Sequence, residues 1–382
     1  MSFTNAHFKK YFTVEAISQI KNDFNFTDNT MIEKFILDFE GFYHILKEIP
    51  DSVIKGGMAV PFHLKDPTIR RLSTDIDIVT SLSQSEVEDA MKKIGQQTAG
   101  MIEIGNPHEP EKPTLSLPLL TYYCKYDSLF SEDQEITIEI IYDHDKSAST
   151  KTITSNFNIL GFELDFPITV YDQGSLIGDK LTTFAFNTVG LKGRRTSNIP
   201  KQIYDVSKLI RLLQDPLPVE EICNSIENTS QHQLSYIQSP NFNFQDILKD
   251  LEVFDQKLLL QKNGFILNPT ESGRHKQFAN QLLGNTEYGS NDHVSDILLI
   301  KYVIMLFKKK FDQTMTSQNI HSTLNVVLQK LPQIESMVLQ DRKSLFGEIL
   351  EKHGGRKSEH GKIIRDLFVD QAFLYDKILE LN

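Results

Sequence analysis

Apolar positions near the start of the chain recur with a helical period. Between Met31 and Ile49 the residues Ile32, Phe35, Ile36, Phe39, Phe42, Tyr43 and Leu46 fall on one stripe, which predicts an amphipathic helix. Thr30 and Glu33 have capping-box spacing, hydroxyl and carboxylate satisfying free amides of the first turn, and Pro50 ends the helix. The pattern then shortens. Val53-Ile54 predicts a brief strand that runs into Gly56-Gly57, and Met58 to His63 the start of a helix. From Asp75 to Thr80 the period is two: Ile76 and Ile78 share one face and leave Asp75 and Asp77 together on the other.

A short helix is expected at Glu86 to Ile94. Runs rich in β-branched and aromatic residues then predict strands at Leu115 to Tyr126, Ile136 to Tyr142, Ile159 to Phe166 and Ile168 to Tyr171. Residues 105–113 read as a loop, and Asp143-His144-Asp145 as a turn. After about residue 174 the strand signal gives way to helices at Ser175 to Asn187 and Pro200 to Leu213. Asp215-Pro216-Leu217-Pro218 is the expected domain boundary. Beyond it helix follows helix, as at Phe244 to Leu260, Val294 to Phe311 and Gly361 to Leu381. The expected class is α+β: a domain at 1–215 with a mixed sheet flanked by helices, then an all-α bundle at 216–382.

Composition narrows the functions. With 40% hydrophobic and 24% charged residues the 382-residue chain reads as globular, long enough for two or three cores. A net charge of −11 argues against a surface coated in positive charge for unspecific nucleic-acid binding, though not against a local basic patch. Two cysteines, Cys124 and Cys223, have no metal-ligand spacing and fit a reducing cytosol. Ile297 to Phe307, the most apolar stretch, is interrupted by Lys301 and too short for a bilayer, so the expected location is cytoplasmic, away from membranes.

Candidate chemistry gathers at Lys55-Gly56-Gly57-Met58-Ala59 and Arg71-Leu72-Ser73-Thr74-Asp75-Ile76-Asp77. Glycines at a strand-to-helix turn let backbone amides approach a phosphate. Two carboxylates one residue apart on a strand offer hard oxygen ligands to one or two magnesium ions, which suits in-line phosphoryl transfer. Singly, a Gly-Gly pair is usually a turn and Asp-x-Asp a solvated face; their order and strand context together give the signal. On the strand at 136–142, Ile136, Ile138 and Ile140 face one way and Glu135 and Glu139 the other, so Glu139 is the expected third ligand or base, with an outward glutamate as the plain alternative.

These residues resemble the AbiEii/AbiGii-toxin-type nucleotidyltransferases, a branch of the polymerase-β-like superfamily, whose members carry a Lys-Gly-Gly-Thr-Ala-like turn and an Arg-x-Ser-x-Asp-Ile-Asp strand. Met58 replaces the usual small hydroxyl residue. Gly178-Asp179-Lys180-Leu181-Thr182-Thr183-Phe184 resembles a second family segment. Arg194-Arg195 with Lys201-Gln202-Ile203-Tyr204-Asp205-Val206 resembles a third, where Gln202 replaces a frequent Asp. The resemblance covers roughly residues 50–215. It implies that Lys180 binds triphosphate oxygens and that Asp205 lies at the active site. Periodicity alone instead puts both on solvated charged faces.

The expected catalytic set is Asp75, Asp77, Glu139, Lys180 and Asp205, with Asp75, Asp77 and Glu139 on magnesium. Gly56, Gly57, Arg71, Ser73, Lys180, Arg194 and Arg195 form the expected nucleotide set. Lys192, Arg194, Arg195 and Lys201 make a basic loop suited to a triphosphate or an RNA backbone, or simply to solvent. Lys308-Lys309-Lys310 suits a helix C-terminus. The resemblance implies a toxin that moves a nucleoside monophosphate from a nucleoside triphosphate to a hydroxyl, with transfer RNA as acceptor and an antitoxin as partner. A protein or small-molecule acceptor is one alternative; a catalytically silent nucleotide-binding module is another.

Overall fold

The computed structural model describes residues 8–64, 71–98, 101–108, 118–143, 148–154, 157–159, 162–164, 166–211, 217–236, 242–261, 265–283 and 288–336. Two compact units make up the chain, and neither is contiguous. The first comprises Met1–Lys180, Asn224–Asn243 and Gln277–Glu287; the second comprises Leu181–Cys223, Phe244–Lys276 and Tyr288–Asn382. Asp215 and Pro216, where a boundary is expected, lie outside the described residues, as do residues 109–113, His144, Asp145 and the helix expected at Gly361 to Leu381.

The first unit opens with α1 (Val14–Phe24) and α2 (Asn29–Glu48). The expected capping box is not what starts α2. The Asp28 side chain caps it by accepting from Thr30 N at 2.9 Å, while Glu33 turns inward to accept from Leu129 N at 2.6 Å and from the Ser128 and Tyr126 hydroxyls. Buried, a carboxylate gains more from those donors than from a solvated cap.

Next along the chain come β1 (Val53–Ile54), α3 (Gly56–Ala59), β2 (Asp75–Val79), α4 (Gln84–Gln97), β3 (Ile102–Ile104), β4 (Leu119–Tyr126), β5 (Gln134–Ile141), β6 (Thr150–Ile153), β7 (Phe157–Ile159), β8 (Phe162–Leu164) and β9 (Ile168–Tyr171). The run expected as one strand at Ile159 to Phe166 is the β7–β8 antiparallel pair. Seven strands form one mixed sheet in the order β3-β4-β5-β2-β1-β9-β6. β2 lies parallel to β5 and antiparallel to β1, with Asp77 opposite Glu139 and Ile76 opposite Ile138.

α2 covers one face of that sheet. Gly41 lets it come close, since a Cβ there would stand 3.3 Å from Ile76 Cδ1 and 3.8 Å from Ile136 Cδ1. Ile76, Ile78, Ile136, Ile138 and Ile140 are buried. Strand alternation then forces Asp75, Asp77 and Glu139 onto the opposite face, which is the placement the sequence predicts.

α5 (Gln173–Thr182) ends earlier than its periodicity suggests, and α6 (Ile199–Arg211) and α7 (Val219–Tyr236) come next. The second unit is not all helix. After α8 (Phe244–Glu252), β10 (Leu259–Gln261) and β11 (Phe265–Leu267) pair antiparallel within the stretch expected to continue as helix. α9 (Pro269–Leu282), α10 (Ser290–Phe311) and α11 (Ser317–Ser336) complete the described elements. α10 is the core helix here, with Ile297, Leu299, Ile300, Val303 and Leu306 all buried.

Candidate functional site

β1 is two residues long, and the glycine turn after it makes the site. Gly56 bends the chain with φ +64°, a left-handed conformation that glycine adopts without a Cβ penalty. A Cβ on Gly56 would stand 1.9 Å from Asp77 Oδ2, and one on Gly57 would stand 2.6 Å from Ser73 Oγ and 2.8 Å from Arg71 Nη2. The two glycines therefore border the very side chains that the sequence pairs with them. Any larger residue would occupy the space over the carboxylate. α3 has only four residues and continues as a 3-10 turn at Val60–Phe62, so this turn has local amides to offer rather than a long helix dipole. Met58 is buried and takes no part in that rim.

Asp77 is the electrostatic centre. Burial raises its carboxyl first, Glu139 and Asp75 push it further, and Lys55 and Lys180 pull it back, leaving it at about 7. Three acids are thus crowded onto one sheet face with two ammonium groups in range. Hard-oxygen donors crowded around a carboxyl whose pKa they raise have the donor chemistry of a divalent-cation site. Among the described residues no group of three or more histidine, cysteine, aspartate or glutamate side chains is placed to hold a metal ion by itself. The donor set fits an ion shared with a ligand's own oxygens better than one enclosed by protein.

Lys180, which periodicity places at a solvated flank, is 2% exposed and acts on Asp77. Lys55 is the site residue that pattern reading leaves without a role. Its Nζ lies 3.2 Å from Asp179 Oδ1, and its backbone N–H donates to Asp77 O at 2.9 Å. Burial alone would lower the Lys55 ammonium, but Asp179, Tyr171 and Asp77 outweigh it and hold its pKa above the usual lysine value. The Lys-Gly-Gly run is the sequence signal that marks it. Arg71 and Ser73 are each 4% exposed, and Arg71 Nη1 donates to Leu72 O at 2.8 Å.

A family model described as the nucleotidyl transferase AbiEii toxin of type IV toxin–antitoxin systems matches residues 47–298. The chain belongs to that family. AbiEii proteins are nucleotidyltransferases, and the glycine turn, the Asp75–Asp77 strand and Lys180 all fall within the matched span. No curated protein matches the chain. The AbiEii match also runs through most of the second unit's described residues, well past the resemblance read from motifs alone.

That unit holds the remaining expected residues of this AbiEii chain. Asp205 on α6 is fully buried, contrary to the solvated face that helical spacing gives it. Arg195 is exposed on the 3-10 segment Gly193–Asn198, whereas the side chain of Arg194 lies outside the described residues. Lys308 pairs with Glu252 at 3.0 Å and Lys310 with Glu220 at 2.6 Å, which supports their structural reading. No helix among the described residues is long and apolar enough to cross a membrane.

Proposed function

We propose that this AbiEii-family protein transfers a nucleoside monophosphate from a nucleoside triphosphate to an acceptor hydroxyl, using Asp75, Asp77 and Glu139 as a magnesium site. The observation that carries this is the approach of Gly56 to Asp77, with Glu139 directly opposite on β5. Magnesium, one ion or two, supplies charge neutralisation for the triphosphate when bound there. Gly56 and Gly57 leave room for phosphate oxygens, and Arg71, Ser73 and Lys180 donate to them; the family resemblance adds Arg194 and Arg195 to the nucleotide set. Lys55 keeps Asp77 from facing its two acidic neighbours uncompensated.

The acceptor hydroxyl attacks the α-phosphorus. A new oxygen–phosphorus bond forms, the bond to the β-phosphate bridge breaks, and pyrophosphate leaves with the electron pair. The hydroxyl proton passes to a carboxylate, with Glu139 the candidate on this sheet face and Asp205 the one that the family resemblance implies. Asp205 enters through the family resemblance rather than through its surroundings. We take transfer RNA as the acceptor, an antitoxin as the neutralising partner, and the cytoplasm as the place of action. The support is the family's type IV toxin–antitoxin assignment together with the resemblance.

The test is to incubate the protein with each α-labelled nucleoside triphosphate, magnesium and a lysate containing RNA, protein and small molecules. The expected result is label on RNA, lost in Asp75→Ala and Asp77→Ala. Label on protein or on a small species would move the acceptor. Label that persists in both variants would remove the site assignment.

A further inference from the structure

Within the second unit a cavity of about 580 Å³ opens between the residues around Lys192 and the start of α9. Lys192, Lys257 and Arg274 line it on the polar side and Phe186, Leu191 and Leu258 on the apolar side; among the described residues no acid lines it. In a chain of net charge −11 a cavity walled only by cations and neutral groups is a departure from the average surface.

The two lysines are held in place by neutral acceptors. Asp250, 6% exposed, accepts from Asn187 N at 2.6 Å, Asn187 Nδ2 at 2.6 Å, Thr188 N at 2.8 Å and the Thr188 hydroxyl at 3.0 Å. Its charge is engaged by that turn. Two oxygens of the same turn point outward: Asn187 Oδ1 accepts from Lys257 Nζ, and Thr188 O accepts from Lys192 Nζ. Each ammonium is therefore oriented without being neutralised and keeps donors for a ligand. Arg274 closes the third side. Its Nη2 donates to Thr196 Oγ1 at 2.8 Å, while Nη1 lies 3.5 Å from a Glu271 oxygen whose partner oxygen is engaged by His293 at 2.8 Å.

We propose that this cavity binds a nucleotide, its phosphate among Lys192, Lys257 and Arg274 and its base against Phe186, Leu191 and Leu258. The volume suits a ligand of that size, and cations beside an apolar wall, here with Lys257 Nζ over the Phe186 ring at 5.9 Å, can take up phosphate and base edge together. Choosing a nucleotide over other phosphate esters rests on the proposed transfer activity. The nucleotide can come from two sources, a free mononucleotide or one unit of a single-stranded RNA.

The full chain is titrated in EDTA, without magnesium, against a labelled single-stranded RNA, against adenosine monophosphate and against polyglutamate. The expected result is salt-dependent binding of the RNA or the mononucleotide, and the better binder identifies the source. Lys192→Glu/Lys257→Glu, both at exposed positions, should weaken it about tenfold or more and flatten the salt slope by roughly 0.7 for each phosphate no longer neutralised. Circular dichroism should show the variant folded. No binding of either nucleotide probe, equal binding of polyglutamate, or unchanged affinity in the variant would overturn the proposal. If labelled transfer fails while this binding and its loss persist, the transfer reading falls and the cavity stands. If transfer proceeds and charge reversal leaves binding intact, the cavity falls alone.

Discussion

Each unit holds a set of buried or half-buried charges, and the two sets are built on opposite rules. On the β2–β5 face, Asp75, Asp77 and Glu139 are like charges pressed together, and Asp77 is driven to about 7 by burial and by the other two. In the second unit, Asp296 accepts from the Ser207 and Tyr288 hydroxyls and from Arg211, whose Nη2 is 3.0 Å away, and Glu271 meets His293 at 2.8 Å with both side chains fully buried. One set crowds like charges together beside Lys55 and Lys180; the other distributes its acids among matching donors. Mutual repulsion has no use in holding a fold together and is retained where a ligand cancels it, whereas a satisfied network holds one arrangement in place. The contrast sets the proposed site apart from a scaffold without reference to any pocket.

Replacement experiments should split along that line. Asp77→Ala should cost on the order of a thousandfold in nucleotide transfer, read by label incorporation, with little loss of thermal stability. Asp296→Ala should do the reverse. It removes the buried acceptor that Arg211, Ser207 and Tyr288 share and should lower unfolding free energy by about 3 kcal/mol in a urea titration. A smaller effect comes from pH. Burial first, and His293 second, lower the imidazole of His275 to about 4, so it folds neutral. A histidine lowered in the folded state contributes stability that is present above the ordinary histidine value and lost as pH falls through it toward 4. The loss should reach at most about 3 kcal/mol, and His275→Phe should remove that part of the slope. Smallest is Asp77→Asn. At pH 8, without magnesium, it should raise the melting temperature through a gain of about 1 kcal/mol, since it deletes a charge that Glu139 and Asp75 oppose. A fall in melting temperature there would erase the contrast.

Much of the first unit is legible in the sequence because strands report their faces. Alternation at Ile76 and Ile78, and at Ile136, Ile138 and Ile140, puts three carboxylates on the face where the structure has them. Lys180 and Asp205 are misplaced by periodicity for a physical reason. Helical spacing assigns charged residues to the solvated side, and it has no means of seeing a charge that the tertiary fold buries. The β10–β11 hairpin escapes because Leu258, Leu259 and Leu260 carry enough apolar character to extend the periodicity of α8, although the helix stops at Glu252. Nothing local marks the non-contiguous units either. Asn224–Asn243 and Gln277–Glu287 join the first unit through long-range pairing, as when Leu72 N donates to Leu282 O at 3.0 Å.

The pairing of Lys55 with Asp179 spans 124 positions of chain. During synthesis the acids and the glycine turn emerge first, while Lys180 and the partner of Lys55 must wait until α5 has left the ribosome. A nascent fragment ending before β9 carries the carboxylates and Lys55 but neither Lys180 nor the Asp179 that pairs with Lys55. On the proposed function such a fragment lacks the assembled site, because long-separated contacts close last.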